Sequence, residues 1–308
     1  MSTRREQILP EVPSLTSLYG QAVARSARLM VRRPGPIVAR LPEISYRVDD
    51  VRVDRAQLAA YQHLLGEAGT DTLPAGYVHV LGFPVAVAVM AREDFPLPLM
   101  GMVHVANQVQ QRHPVHADDV LTVRAWAQNL RAHRSGTQVD LVTEVGQADG
   151  LDVLWRGVSS YLAKGKPLKG LALVESADGA RPARADGRDA DAPLPAVTAS
   201  WRLGASTGRR YADVSGDRNP IHLSGLSAKL FGFKRAIAHG MYTASRALAT
   251  VGPARPDAFV WDVEFLKPVL LPGQVAINLT PAEGATSYLG WDPRSQAVHF
   301  AGSVRPLP

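Results

Sequence analysis

Apolar positions along this chain fall into two successions of the same kind. Residues 75–91, "AGYVHVLGFPVAVAVMA", are apolar almost throughout, the pattern of a helix covered on all sides. They are followed by "MVHVANQVQQRHPVHADDVLTVRAWA" (102–127) and by two alternating runs, "TQVDLVTEVGQ" (137–147) and "DVLWRGVSSYLA" (152–163). Alternation with a period of two marks antiparallel strands with one wet face. Further on, "IAHGMYTASRALATVG" (237–252) has helical character, and "FVWDVEFLKPVLLPGQVAINLTP" (259–281) reads as two strands about a Pro-Gly turn. Pro114 sits in the first succession where Pro268 sits in the second. One mostly apolar helix with several long antiparallel strands, twice over, implies an internal duplication.

Between the two successions lies "GLALVESADGARPARADGRDADAPLPAV" (170–197), dense in Gly, Pro, Ala and Asp and without periodicity. This is a linker composition. The expected organisation is therefore an N-terminal helical extension (1–45), a first domain (46–169), the linker (170–197) and a second domain (198–308). The extension predicts a helix over 14–32, whose "SLYGQAVARSARLMV" spaces apolar residues by three and four. Its arginines read as a solvated face.

Composition narrows the function classes. With 308 residues and 46% hydrophobic content the chain can build two cores. Its most apolar stretch, "VLGFPVAVAVMA" (80–91), stops short of the roughly 18 residues a spanning helix needs, and the N-terminus has no secretory signal pattern. The absence of cysteine excludes disulfides, thiolate metal sites and a cysteine nucleophile, and makes a cytoplasmic location the expectation. The net charge of +6 is spread without a run of five Lys/Arg or a basic stripe with aromatics. No nucleic acid is therefore expected as a partner, while phosphate-bearing small molecules and acidic carrier proteins stay open.

The candidate chemistry lies in "YADVSGDRNPIHLSGLSAKLFGFKRAIAHGM" (211–241). Asp, Asn and Pro are turn and helix-start residues, and Asn219 before Pro220 suits an N-cap with proline at the first helical position. The same residue types also support acid–base chemistry. Asp217 and His222, five apart about a proline-fixed bend, can face one small volume and share a water molecule; imidazole titrates near neutrality. Asn219 offers a donor and an acceptor. A free backbone N–H at Gly240, at the start of the following helix, can receive a carbonyl oxygen that gains negative charge.

Asp-x-Asn-Pro-Ile-His, followed after seventeen residues by His-Gly-Met, resembles the MaoC-like dehydratase and R-specific enoyl-CoA hydratase family. "YADVSGDRNPIH", "FGFKRAIAHGMYTASRALA" and "FLKPVLLPGQV" carry the resemblance, which spans residues 211–275 well and the first domain only at the level of fold. It implies an α+β double hot-dog, each half a long central helix wrapped by a curved antiparallel sheet. It also implies reversible syn hydration of trans-2-enoyl thioesters to (R)-3-hydroxyacyl thioesters, a hydro-lyase activity of fatty-acid metabolism. Asp217 and His222 would hold the water, with the acid and base roles open between them; Asn219 would position water or substrate, and the Gly240 amide would bind the thioester oxygen.

No metal or redox cofactor is implied, since one Asp and one His are too few ligands. The substrate would ride on coenzyme A or an acyl carrier protein, both anionic, and Lys229, Lys234, Arg235 and Lys267 are the candidate cations. The first copy has "HLLGEAGTDTL" where the second has "DVSGDRNPIHL", so residues 46–169 read as a non-catalytic partner shaping an acyl tunnel. Its His63, His79, His104, His113 and His116 read as structural. A hot-dog thioesterase and a non-catalytic acyl-binding subunit are the rival functions. A homodimer and a monomer are both open, because two hot dogs in one chain already cover each other's sheet edges.

Overall fold

A computed structural model describes residues 4–31, 39–148, 152–171, 189, 192–252, 255–282 and 284–307 of the chain. Most of the expected linker, residues 172–188 with 190 and 191, lies outside the described residues, as do the side chains of the arginines from Arg25 to Arg33.

After a short strand β1 (Arg5–Ile8) comes helix α1 (Leu15–Val31), close to its expected bounds. The first half then runs β2 (Ile44–Val51), α2 (Arg55–Leu65), α3 (Ala75–Ala91), β3 (Met102–Gln111), β4 (Leu121–His133), β5 (Gly136–Gln147) and β6 (Val153–Lys164). The second runs β7 (Ala199–Leu203), α4 (Thr207–Ser215), α5 (Pro220–Leu223), α6 (Gly225–Leu230), α7 (Gly240–Val251), β8 (Phe259–Phe265), β9 (Gly273–Ala282), β10 (Ala285–Trp291) and β11 (Val298–Pro306).

All the strands share one sheet, in the order β1-β2-β4-β5-β6-β3-β8-β11-β10-β9-β7. Leaving β1 aside, that order reads alike from either edge: β2, β4, β5, β6 and β3 mirror β7, β9, β10, β11 and β8. The duplication legible in the sequence is thus a duplication of topology. The halves join where β3 and β8 pair antiparallel, from Ala106 opposite Glu264 to Gln111 opposite Phe259, and the Gln108 amide donates to Asp262 Oδ1 across the seam at 2.6 Å.

Each half carries its long helix against its share of the sheet, as two hot dogs require. Helix α3 packs on β4 and β5. Its near-uniform apolarity follows from burial, with Tyr77, Val78, Val85, Val87 and Val89 all fully covered. Burying side chains of this size stabilises by about 1.5–3 kcal/mol each. Helix α7 does the same for the second half with Met241, Ala244, Ala247 and Leu248. It begins at Gly240 rather than at Ile237, because Ile237 and Ala238 are held in a bridge with the 269–271 segment.

The two strands expected about a Pro-Gly turn exist as β8 and β9, but they are not neighbours. β8 pairs with β3 and β11, and β9 with β10 and β7. Instead of closing a hairpin, the intervening segment lines the cavity with residues 266–269 and pairs through 269–271 with the stretch before α7. The first copy of the fold has α2 where the second has α4. These two helices pack together, and Tyr61 and Tyr211, equivalent by sequence, meet with ring centroids 6.3 Å apart.

Candidate active site

The 217–222 stretch is shaped by two helix ends. Helix α4 stops at Ser215, and Gly216 follows with φ 72°, its N–H closing on Ala212 O. Glycine takes that left-handed geometry without steric penalty. Asp217 lies in the turn, and Asn219 caps α5, its Oδ1 accepting weakly from the Ile221 N–H at 3.4 Å. Pro220 at the first helical position gives up an N–H that no helix would use. Asn219 is thus both a cap and a candidate site residue, and Asp217 and His222, on either side of it, line the same cavity.

Asp217, Asn219, His222 and Gly240 all line one cavity of about 670 Å³ at the junction of the two halves. The ligand-type atoms of Asp217, His222 and His239 lie within 4.8 Å of one another. A water making two ordinary hydrogen bonds spans about 5.5 Å, so one solvent molecule can bridge the carboxylate and an imidazole. The two imidazoles stack with centroids 3.6 Å apart. Gly240 is the first residue of α7, so its N–H has no intrahelical acceptor and carries the positive end of the helix dipole. An added Cβ there would meet the Phe265 ring at 3.0 Å, so the lack of a side chain is a packing requirement too.

Hydrogen bonds fix the tautomers. His222 Nδ1 lies 2.9 Å from Ile237 O; a carbonyl only accepts, so that nitrogen carries the proton and Nε2 keeps its lone pair. His239 Nε2 likewise donates to Asp217 O at 3.0 Å, and its buried Nδ1 has no partner. Burial, with the neighbouring His239, lowers the His222 pKa to about 3; burial lowers that of His239 as well. Burial would raise the Asp217 pKa, but the adjacent imidazoles, the Tyr19 hydroxyl and the Asn219 N–H outweigh it and the net shift is downward. At neutral pH the resting site thus holds an ionised carboxylate and uncharged imidazoles.

Among the described residues this trio is also the group that could hold a metal ion. Both histidines already spend one ring nitrogen on a backbone carbonyl, and His239 Nδ1 is buried. His222 Nε2 and the carboxylate are left as the atoms that acid–base chemistry on a bound water would use.

The candidate cations divide. Lys267 lines the cavity at its exposed rim, whereas Lys229, Lys234 and Arg235 are exposed and lie outside the lining; the Arg235 guanidinium donates to Pro272 O at 3.2 Å. Lys164, at the end of β6, joins Lys267 in the rim.

Other cavity residues were not expected at the site from the sequence. Tyr19 of α1 donates to Asp217 Oδ1 at 2.7 Å. His79, His104 and Tyr161 of the first half line the same cavity, with His104 stacked on Tyr161 at 4.6 Å. Of the five first-half histidines read as structural, His79 and His104 are therefore cavity wall, while His63, His113 and His116 are exposed outside it. Burial lowers the pKa of His79 to about 4 and that of His104 to about 3. The apolar remainder includes Val80, Phe83, Val87 and Met90 of α3. His239 stood in the quoted stretch beside Gly240; Tyr19 had no local signal.

The chain is similar to known proteins in sequence and in fold. The profile of the MaoC like domain matches residues 187–285. Over 280 residues the chain is 36% identical to 3-hydroxyacyl-thioester dehydratase X of Mycobacterium tuberculosis, an alignment covering 88% of this chain and 94% of that protein. The crystal structure of HtdX from the same organism matches with a TM-score of 0.73 and 33% identity, over 85% of this chain and 100% of that one. Another M. tuberculosis protein, described as a double hotdog fold, matches in fold at a TM-score of 0.52 and 15% identity, over 84% of this chain and 95% of that one.

Proposed function

Because the chain belongs to the MaoC-like dehydratase family, we propose that it interconverts trans-2-enoyl and (R)-3-hydroxyacyl thioesters by adding or removing water. It is a hydro-lyase of the double hot-dog class. The observation that carries the reading is the convergence of the Asp217 carboxylate, the His222 imidazole and the first N–H of α7 on one cavity.

The thioester oxygen accepts from the Gly240 N–H, which stabilises enolate character as charge develops there. Water held between Asp217 and His222 loses a proton to one of them as its oxygen bonds to C3 and the C2–C3 double bond shifts its electrons toward the thioester. The resting dyad carries no transferable proton of its own, since the His222 Nδ1–H is committed to Ile237 O. The proton delivered to C2 is therefore the one taken from water, on the same face, and no proton is gained or lost overall. Dehydration is the reverse. Asn219 orients the water or the substrate. No cofactor enters, because the thioester itself supplies the acidity at C2. The dyad titrates as a pair.

Residues 198–308 supply the dyad, and residues 46–169 serve as a non-catalytic half whose α3 face (Val80, Phe83, Val87, Met90) accepts the acyl chain. Lys164 and Lys267 at the rim suit the phosphate that coenzyme A and the phosphopantetheine of an acyl carrier protein both bear. Lack of cysteine suits a reducing cytoplasm.

An ultraviolet assay of the enoyl thioester chromophore, over a chain-length series on both carriers, tests the reading. Absorbance falls for at least one length; a flat trace for every length from folded protein sinks it. Release of free thiol without loss of the enoyl signal would mean a thioesterase.

The protonation states give a second expectation. Both dyad groups act unprotonated, so activity is lost as pH falls through the higher of their two pKa values, and both are shifted downward. Turnover should vary by less than about twofold between pH 8 and 6. A histidine at its ordinary pKa of about 6.5 would cost about three quarters of the activity by pH 6. A limb centred there would show that the catalytic imidazole is solvated.

A further inference from the structure

We propose that Tyr19, brought in by the N-terminal helix α1, is a positioning residue for the reaction: its hydroxyl holds the Asp217 carboxylate in one rotamer with its second oxygen presented to the imidazoles. The inference rests on the function proposed above and deepens it.

The geometry is specific. Tyr19 Oη donates to Asp217 Oδ1 at 2.7 Å, the short separation of a charge-assisted bond. The Asn219 N–H donates to the same oxygen at 3.2 Å. Oδ1 is thereby occupied, and Oδ2 is the oxygen nearer His239 Nε2, at 3.8 Å. A carboxylate pinned through one oxygen leaves the other in a fixed position for water, and acid–base catalysis depends on that position.

Helix α1 is anchored for the task at the start of the motif. Leu15, one turn before Tyr19, is buried and lies so close over Gly216 that a Cβ there would be 3.1 Å from Leu15 Cδ1. Residues four apart share a helix face, so Leu15 and Tyr19 seat this face on the consecutive residues Gly216 and Asp217. A residue 198 positions away in sequence thus acts directly on the Asp217 carboxylate.

The remaining titratable groups that face Asp217 are His222 on α5, His239 before α7, Tyr211 on α4, Tyr161 on β6, His79 on α3 and His104 on β3. The two nearest imidazoles are uncharged at rest. Of the two donors on Oδ1, only the Tyr19 hydroxyl can be deleted by substitution without touching the motif.

The test is Tyr19→Phe, which keeps the ring and so the packing of α1. Turnover should fall about tenfold with KM within about twofold, because the hydroxyl serves the carboxylate rather than substrate binding. The Asp217 midpoint should move up, since loss of a donor to the charged form favours protonation, and the acid limb of the pH–rate profile moves up with it once Asp217 is the higher of the two groups. A ¹³C NMR titration of the Asp217 carboxyl carbon reads the same displacement with no substrate present. A raised midpoint in the variant therefore supports Tyr19 even where the wild type turns over no thioester, a result that would count against the proposed reaction alone. Unchanged turnover and an unchanged Asp217 midpoint overturn the assignment.

Discussion

Asp217→Asn lowers turnover about a thousandfold and leaves the fold in place. The substitution is close to isosteric. The asparagine Oδ1 can still accept from the Tyr19 hydroxyl and the Asn219 N–H, which reach the carboxylate at 2.7 and 3.2 Å, so the turn after α4 keeps its supports. What disappears is the negative charge and the ability to take or share a proton with the bridging water. Positioned acid–base groups contribute about 10²–10⁴ in rate, and the middle of that range suits a group that works in a pair. His222→Gln should cost a similar factor, because its Nε2 lone pair is the other end of the same proton path. The double variant should be little worse than either single one, as for residues that act as a unit. Steady-state kinetics on the enoyl thioester, with thermal melts of the three variants, checks all of this. More than about a tenth of wild-type turnover in Asp217→Asn would remove the carboxylate from the proton path, and factors that multiply in the double variant would mean two independent functions.

Acidification from pH 7 to 5 destabilises the folded chain by several kcal/mol. His79, His104 and His222 are buried without charge, with pKa values lowered to about 4, 3 and 3, while in the unfolded chain they titrate near 6.5. Between those values the unfolded state binds more protons than the folded one, so stability rises with pH and falls on acidification. The loss begins as pH drops through about 6.5 and continues to the folded-state values. At pH 5 each group accounts for about 2 kcal/mol by this linkage, against total stabilities of about 5–15 kcal/mol for ordinary domains. The cause is structural and also functional: these rings line the cavity, and the burial that keeps His222 a free base makes the fold acid-sensitive. Denaturant unfolding at pH 7, 6 and 5 reads it. Equal midpoints at the three values would mean that solvent reaches the rings and that the cavity wall is wetter than described.

Some of this could be read along the chain because its causes are local. The duplication was visible because a buried helix must be apolar all round and a half-exposed strand must alternate, and both patterns are written in consecutive residues. Asp217 and His222 were legible for a similar reason. Gly216, Asn219 and Pro220 fix the backbone over a few residues, so the direction of both side chains is set within one turn. Gly240 could be found because a helix start announces itself through the change from loop to apolar spacing. Tertiary structure decided what depends on which surfaces meet. β8 and β9 look like a hairpin but part to opposite sides of β11, since strand pairing is chosen by hydrogen bonds to distant edges. Lys229, Lys234 and Arg235 stand nearest the motif in sequence, yet it is Lys267 and Lys164 that reach the rim, because proximity at the cavity follows the ends of β6 and β8 and not the chain. Tyr19 sat in a helix whose sequence announced an amphipathic face and nothing more. Only the packing of that face on Gly216 and Asp217 turned its hydroxyl into part of the site.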